Sequence, residues 1–284
     1  MYDGVAKFYD TYTADLDHGK VADFAEKCFL KYGNAGIKAV ASGQKKTKPD
    51  GENFINGEDV ENSTLVLDCA CGTGVLTCLL GERGYDMTGL DISMDMLYTA
   101  MDTSAEKGLD ILWLCQDMCK MDMYGSFAAV LCMTDGVNHI TTRKRLDAFF
   151  KRIYNFVDDG GLLIFDFLTP SHFESRVGKG GNVFFEDGDQ GTCLWTSRYN
   201  EKSGICKYDI TVYQRCENDE NDVNDDAEEL FTRTDDSIRE KAWSLEEITE
   251  SLTAGGFTIK RTCGSLNFGK VKEDSGRVYV VARK

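Results

Sequence analysis

Two glycines and one carboxylate are spaced as a nucleoside pocket requires. Gly72 and Gly74 stand in "DCACGTG", between an apolar run and a stretch with helical spacing. Without a Cβ, backbone there can approach a ligand closely. A helix starting near Val75 would aim the positive end of its dipole at the same spot and favour an anion. Asp91 follows nineteen residues after Gly72, at the end of the next apolar run. A carboxylate there can accept hydrogen bonds from both hydroxyls of a ribose. The three residues together describe a pocket for a nucleoside with an anionic group nearby. A dinucleotide fingerprint would carry a third glycine where this chain has Thr77. A nicotinamide-dependent oxidoreductase shares the turn and the acid, so that alternative stays open at this point.

The elements that must position these residues alternate between apolar strands and amphipathic helices. Residues 17–32 place Val21, Phe24, Ala25, Cys28 and Phe29 at helical spacing. Residues 41–63 read as a polar loop. From residue 64, "TLVLDCA" predicts a strand, "VLTCLLGERG" a helix, "DMTGLDI" a strand, and Ser93 caps the helix "MDMLYTAMDTSAEKG". "DILWLCQD" and "FAAVLCM" predict strands, "TRKRLDAFFKRIYNFV" a helix and "GGLLIFDFL" a strand. Continuously apolar strands of this kind suit a parallel sheet covered on both faces. The pattern then changes. Within 171–241 four strand-like stretches, "NVFFED", "CLWTSRYN", "ICKYDITVYQRC" and "LFTRTDDSIREKAW", predict a small antiparallel lobe inserted into the core. The core resumes with a helix capped by Ser244 and two strands, "FTIKRTCG" and "RVYVVAR".

Composition narrows the classes. The chain has 284 residues, with 42% hydrophobic and 28% charged, the profile of a soluble globular protein. No apolar run is long enough to cross a bilayer, and the first residues lack a secretory core. A cytoplasmic protein is expected, with its eleven cysteines reduced and mostly packed as small core residues. His18, His139 and His172 stand singly and no Cys-x-x-Cys pair occurs, so no metal site is expected. The net charge is −16, and "ENDENDVNDDAEE" at 217–229 holds eight acids and no base. Half of the excess therefore sits in one solvated loop. The rest of the chain is still acidic, which argues against a nucleic-acid partner.

Across this frame the chain resembles the class I S-adenosylmethionine-dependent methyltransferases, of the bacterial small-molecule type. "DCACGTG" is similar to the family's first motif, an acid followed by a Gly-x-Gly-x-Gly turn, with Ala70 in place of the first glycine. "GLDIS" resembles the second motif and "WLCQDM" the adenine-side segment. "FAAVLCMTDGVNHI" resembles the fourth-strand motif, with Ala128 where an acid is common. "VDDGGLLIFDFL" and "EITESLTAGGFTIKR" resemble the fifth strand and the late helix and strand. The tyrosine-rich opening resembles a lid over the cofactor.

The resemblance implies a Rossmann-like α/β fold: a mainly parallel seven-stranded sheet with helices on both faces, plus the inserted antiparallel β lobe. The implied domains are a helical lid at 1–45, a core at 46–170 and 242–284, and the lobe at 171–241. S-adenosylmethionine would be the cofactor, held by Tyr9, Asp68, Ala70, Cys71, Gly72, Thr73, Gly74, Asp91, Ile92, Met96, Gln116, Asp117, Met118 and Met133. Asp91 would hold the ribose and Asp117 the adenine amino group. Asp68 would orient the glycine turn or reach the cofactor's amino group. Asp135, Asn138 and His139 follow the fourth strand, where the methyl acceptor would sit, and His139 is the candidate base. Trp195, Tyr199 and Tyr208 are candidates for the substrate mouth, though alternating aromatics in strands also serve as core. The implied reaction moves a methyl group to an O or N atom of a small molecule. A non-catalytic adenosylmethionine sensor remains a second alternative.

Overall fold

The computed structural model describes residues 17–43, 45–47, 53–55, 58–59, 64–178, 180–188, 191–216 and 230–284. Helix α1 (His18–Tyr32) is capped by Asp17, whose carboxylate accepts from the Lys20 N–H at 3.0 Å. Its apolar stripe is buried, and the Phe24 ring packs 5.0 Å from Phe268 and 5.4 Å from Tyr279. Helix α2 (Ala35–Ala41) follows, capped by Asn34. The segment expected to be only a polar loop also carries three short antiparallel strands: β1 (Lys45–Thr47), β2 (Asn53–Ile55) and β3 (Glu58–Asp59). The overlooked signal is the Asn56–Gly57 pair between β2 and β3, the dipeptide that tight hairpins favour.

The core then alternates as the apolar pattern predicts. It runs β4 (Leu65–Cys69), α3 (Val75–Glu82), β5 (Asp86–Asp91), α4 (Met94–Glu106), β6 (Leu112–Cys115) and β7 (Phe127–Cys132). A 3-10 turn at Gly136–His139 leads to α5 (Arg143–Phe156), β8 (Val157–Leu168) and α6 (Pro170–Arg176). After the lobe come α7 (Leu245–Ala254), β13 (Thr258–Cys263) and β14 (Arg277–Arg283). Helix α7 starts with a full capping box between Ser244 and Glu247. The seven strands lie in the order β13-β14-β8-β7-β4-β5-β6, and β14 alone runs antiparallel to its neighbours. All six residues of β7 are buried, because helices cover both faces of the sheet's centre. Each large apolar side chain so buried is worth ~1.5–3 kcal/mol.

The strand order fixes where a ligand can enter. From β4 the chain moves outward to β5 and β6, then crosses to β7 on the other side of β4. The carboxyl ends of β4 and β7 therefore diverge and leave a crevice at the switch point.

Strands β9 (Asn182–Gly188), β10 (Gly191–Asn200), β11 (Ile205–Arg215) and β12 (Phe231–Lys241) form a separate antiparallel sheet in the order β12-β11-β10-β9. Its inward face alternates as strands must: Cys193, Ile210, Val212 and Ile238 pack together with Met96 of α4. A second contact joins Cys206 and Ala242 to Leu168 and Phe173. The acidic run 217–229 lies outside the described residues, as does Tyr9. Among the described residues no helix is long and apolar enough to cross a membrane.

Candidate active site

The glycine turn is left-handed at three positions, Ala70 (φ 55), Gly72 (φ 56) and Gly74 (φ 75). Two bonds tie it to the end of β5: Cys71 N–H donates to the Leu90 carbonyl at 3.1 Å and Gly72 N–H to Asp91 Oδ2 at 3.0 Å. The other oxygen, Asp91 Oδ1, accepts from Ser93 N–H at 2.8 Å. One backbone donor on each oxygen pins the carboxylate and leaves each a lone pair for a ligand hydroxyl. The two glycines differ in purpose. A Cβ on Gly72 would meet nothing within 4 Å, so this position opens onto the crevice. A Cβ on Gly74 would lie 2.5 Å from the Trp113 ring and 2.8 Å from Ala100. Gly74 is therefore a packing glycine that lets Trp113 cover the turn.

Asp68, at the end of β4, is buried, and its Oδ2 accepts from the Thr77 hydroxyl at 2.6 Å. Burial pushes its carboxyl up to about 7; the Thr77 bond opposes this and the nearby Asp91 adds to it. Thr77 thus has a task that the third glycine of a dinucleotide turn could not perform.

These residues border a cavity of about 430 Å³, within the size range of small-ligand sites. Its wall brings together Asp68, Ala70, Cys71, Gly72 and Thr73 of the turn with Asp91, Ile92 and Met96. Gln116, Asp117, Met118 and Met133 line it too. Asp117 is fixed by Arg145, whose Nη2 donates to both carboxylate oxygens at 3.0 and 3.1 Å, and by the Cys119 N–H at 3.0 Å. The Gln116 amide is spent on its own loop: Nε2 donates to the Asp122 carbonyl at 3.3 Å and Oε1 accepts from Asp122 N–H at 2.9 Å.

The far end of the cavity is formed after β7. Thr134 and Asp135 both adopt left-handed backbone, with φ 59 and 61. The carboxylate of Asp166, on β8, compensates: it accepts from Thr134 N–H at 2.5 Å and Asp135 N–H at 3.2 Å. Arg277, from β14, binds Asp166 and donates to Asp135 Oδ1 at 2.7 Å. Burial disfavours the Arg277 charge, but the two carboxylates outweigh it and raise its pKa. Asp135 and His139 line the cavity. Burial lowers the His139 pKa, against the charges of Asp135 and Asp91, so the imidazole is neutral near pH 7.

Asn138 is not brought to the cavity. It is fully buried; Nδ2 donates to the carbonyls of Leu168 at 2.9 Å and Lys241 at 2.8 Å, and Oδ1 accepts from Leu168 N–H at 2.8 Å. It clamps the turn to β8 and to the end of the lobe. Trp195, Tyr199 and Tyr208 are also absent from the wall. Trp195 packs edge-on to Tyr208 at 6.0 Å, and Tyr199 stacks on Phe173 at 5.4 Å. Residues outside the motif reading also border the cavity, among them His18, Thr134, Arg145 and Arg277, and Asp166 stands behind them. Local sequence carried no signal for Arg277, which reaches a residue 142 positions away.

Comparison with known proteins agrees with this geometry. Residues 66–161 match the family model described as a methyltransferase domain. A protein of Geobacillus sp. (strain WCH70) named as a methyltransferase is 23% identical over 283 residues, covering 100% of this chain and 99% of its own. A glycine/sarcosine N-methyltransferase of Halorhodospira halochloris is 26% identical over 175 residues, 56% of this chain and 63% of that protein. The crystal structure of an S-adenosylmethionine-dependent methyltransferase from Clostridium acetobutylicum superposes with a TM-score of 0.75 at 23% identity, covering 99% of this chain and 98% of that one. With its switch-point crevice and its turn held by Asp91, this chain carries a methyltransferase domain at 66–161 and is similar along its whole length to methyltransferases, including one dependent on S-adenosylmethionine.

Proposed function

We propose that the protein methylates a nitrogen or oxygen atom of a small molecule, which lies against the turn at residues 135–139. The observation that carries this reading is the single cavity running from Gly72 and Asp91 to Asp135 and His139. S-adenosylmethionine fits the residues present. The opening above Gly72 admits it, Asp91 would take the ribose hydroxyls, Asp117 the adenine amino group, and Ile92 and Met118 the faces of the base. Asp68 would face the ammonium of its amino-acid moiety. When bound, it supplies an activated methyl carbon whose bond to sulfur breaks, the electron pair staying on sulfur, as the acceptor's lone pair bonds to the carbon. The chain's own part is to align the acceptor and exclude water, which can supply ~7–11 kcal/mol. His139, neutral in its buried position, takes the proton that the acceptor loses.

The glycine/sarcosine enzyme among the relatives supports an acceptor of small size. The acidic balance of −16 supports the same reading over a phosphate-backed substrate. The test is calorimetry with adenosylmethionine, followed by methyl transfer from labelled cofactor to glycine, sarcosine and amino sugars. Binding with turnover of one acceptor supports the reading. Binding without turnover across a broad metabolite panel would favour a sensor.

A further inference from the structure

The inserted lobe sends one carboxyl group to the acceptor end. Glu240, the next-to-last residue of β12, is buried, and its Oε1 lies 3.9 Å from His139 Nε2. Its other oxygen accepts from the Tyr208 hydroxyl of β11 at 3.2 Å. The approach is stitched on both sides. One residue before His139, the Asn138 amide donates to the Lys241 carbonyl, one residue after Glu240. One residue after His139, the Ile140 carbonyl accepts from Trp243 Nε1 at 3.1 Å. Two bonds thus tie the exit of the lobe, at residues 241 and 243, to the acceptor turn on either side of His139, and Glu240 immediately precedes them. Burying a carboxyl beside a histidine is costly unless the two share charge or a proton.

We propose that Glu240 is a positioning residue for the base: it sets the tautomer and charge state of His139, so the lobe completes the proton-accepting apparatus of the core. The proposal rests on the reading of His139 as the group that takes the acceptor's proton. The 3.9 Å separation is long for a hydrogen bond, as such pairs often are before the reactants close the site.

The charged groups around the pair are Asp135 on the same turn, Asp91 at the end of β5, Arg277 on β14 and Asp166 on β8. Burial, and then repulsion from Asp135, push the Glu240 carboxyl up to about 8, while Tyr208 and Arg277 pull it down. Below that pH, and above the lowered His139 pKa, Glu240 keeps its proton and the imidazole is neutral. Above it, a proton arriving on His139 creates an imidazolium beside a carboxylate, which is the better acceptor state. Which ring nitrogen carries hydrogen follows from what the other one meets, and Glu240 stands on the Nε2 side.

With only three histidines in the chain, the imidazole nitrogens can be followed by ¹⁵N NMR, with a His139→Asn sample giving the assignment. In the wild type, the His139 signals are expected to show a second inflection near pH 8. In Glu240→Gln, a near-isosteric change, that inflection vanishes and the tautomer ratio shifts. Tyr208→Phe removes a bond that favours the ionised carboxylate, so it moves the inflection to higher pH. It also provides an independent test should Glu240→Gln fold poorly. Identical His139 titration and tautomer in the wild type and in whichever of the two variants folds would overturn the proposal. Adenosylmethionine calorimetry on the same samples separates the failures. Loss of binding in the wild type sinks the methyl-transfer reading, whereas intact binding with an unresponsive His139 sinks only the pairing.

Discussion

At the scale of single residues, Asp91 holds the glycine turn closed and keeps an acceptor free on each oxygen. Asp91→Ala removes charge-assisted bonding worth about 1.5–3 kcal/mol in all. Adenosylmethionine should therefore bind roughly tenfold to a hundredfold more weakly. Calorimetry showing the wild-type affinity would take Asp91 out of the site. Gly72 makes a sharper case. Its backbone is left-handed and its missing Cβ faces open space. A valine there would carry a strain of about 1–2 kcal/mol and place two methyl groups in the crevice. We expect Gly72→Val to fold, as judged by circular dichroism, and to bind no adenosylmethionine. Asp68 supplies a pH dependence. Its carboxyl titrates near 7 in the folded chain rather than at its ordinary 3.8. The protonated form is thus favoured by folding: the associated stability is fully present below about pH 4 and is lost as pH rises through 7. A cationic ligand group prefers the ionised form. Adenosylmethionine affinity should accordingly rise between about pH 6 and 8 in the wild type and stay flat in Asp68→Asn. A flat wild-type profile would mean that Asp68 faces no cation.

At the scale of elements, the contrast between Asn138 and His139 shows what can be read in advance. Both sit in one polar stretch after an apolar strand, and sequence ranked them together as acceptor contacts. The 3-10 turn rotates them apart, so that His139 faces the cavity and Asn138 faces the junction of β8 and β12. Asn138→Ala would take the amide away from the buried Leu168 N–H and carbonyl and from the part-buried Lys241 carbonyl, at about 1–3 kcal/mol for each buried group left unmade. The melting temperature should drop by several degrees, and a variant as stable as the wild type would contradict the clamp. What was legible rests on short-range physics. Continuous apolar runs marked β4, β5, β7 and β8, Ser93 and Ser244 marked helix starts, and the Gly72–Asp91 spacing marked one end of the cavity. The rest depends on contacts that close only in the folded chain. Arg277 and Glu240 come to the turn from sequence positions more than a hundred residues away, and no periodicity announces which side chain of a late strand will point at an early one. Ala70 is the reverse instance, a departure from the family's glycine that the structure accommodates: its Cβ would crowd any side chain at Gly136, which has none.

At the scale of the whole molecule, charge bears on the class of acceptor. A nucleic-acid substrate needs positive surface to displace the counterions of several phosphates, and the chain carries −16. Two basic clusters stand in the sequence, "KKTK" at 45–48 and "TTRKR" at 141–145. The second opens α5 beside the cavity, where a phosphate could reach it, but its arginines are engaged. Arg143 Nε pairs with Asp147 at 2.8 Å and its Nη1 with Glu250 at 3.0 Å, while Arg145 is held by Asp117. A phosphate would have to compete with carboxylates already in place and would feel their repulsion. The cavity is bordered at this end by the partly buried His139 and Asp135. We therefore expect no salt-sensitive attachment to tRNA, rRNA fragments or duplex DNA even at low ionic strength, where such binding is strongest. The decisive measurement is a titration of each at about 20 mM salt and again at about 200 mM, with methyl incorporation followed in parallel. Submicromolar binding that weakens by several orders of magnitude across that interval, together with methylated nucleic acid, would replace the small-molecule acceptor with a polymer.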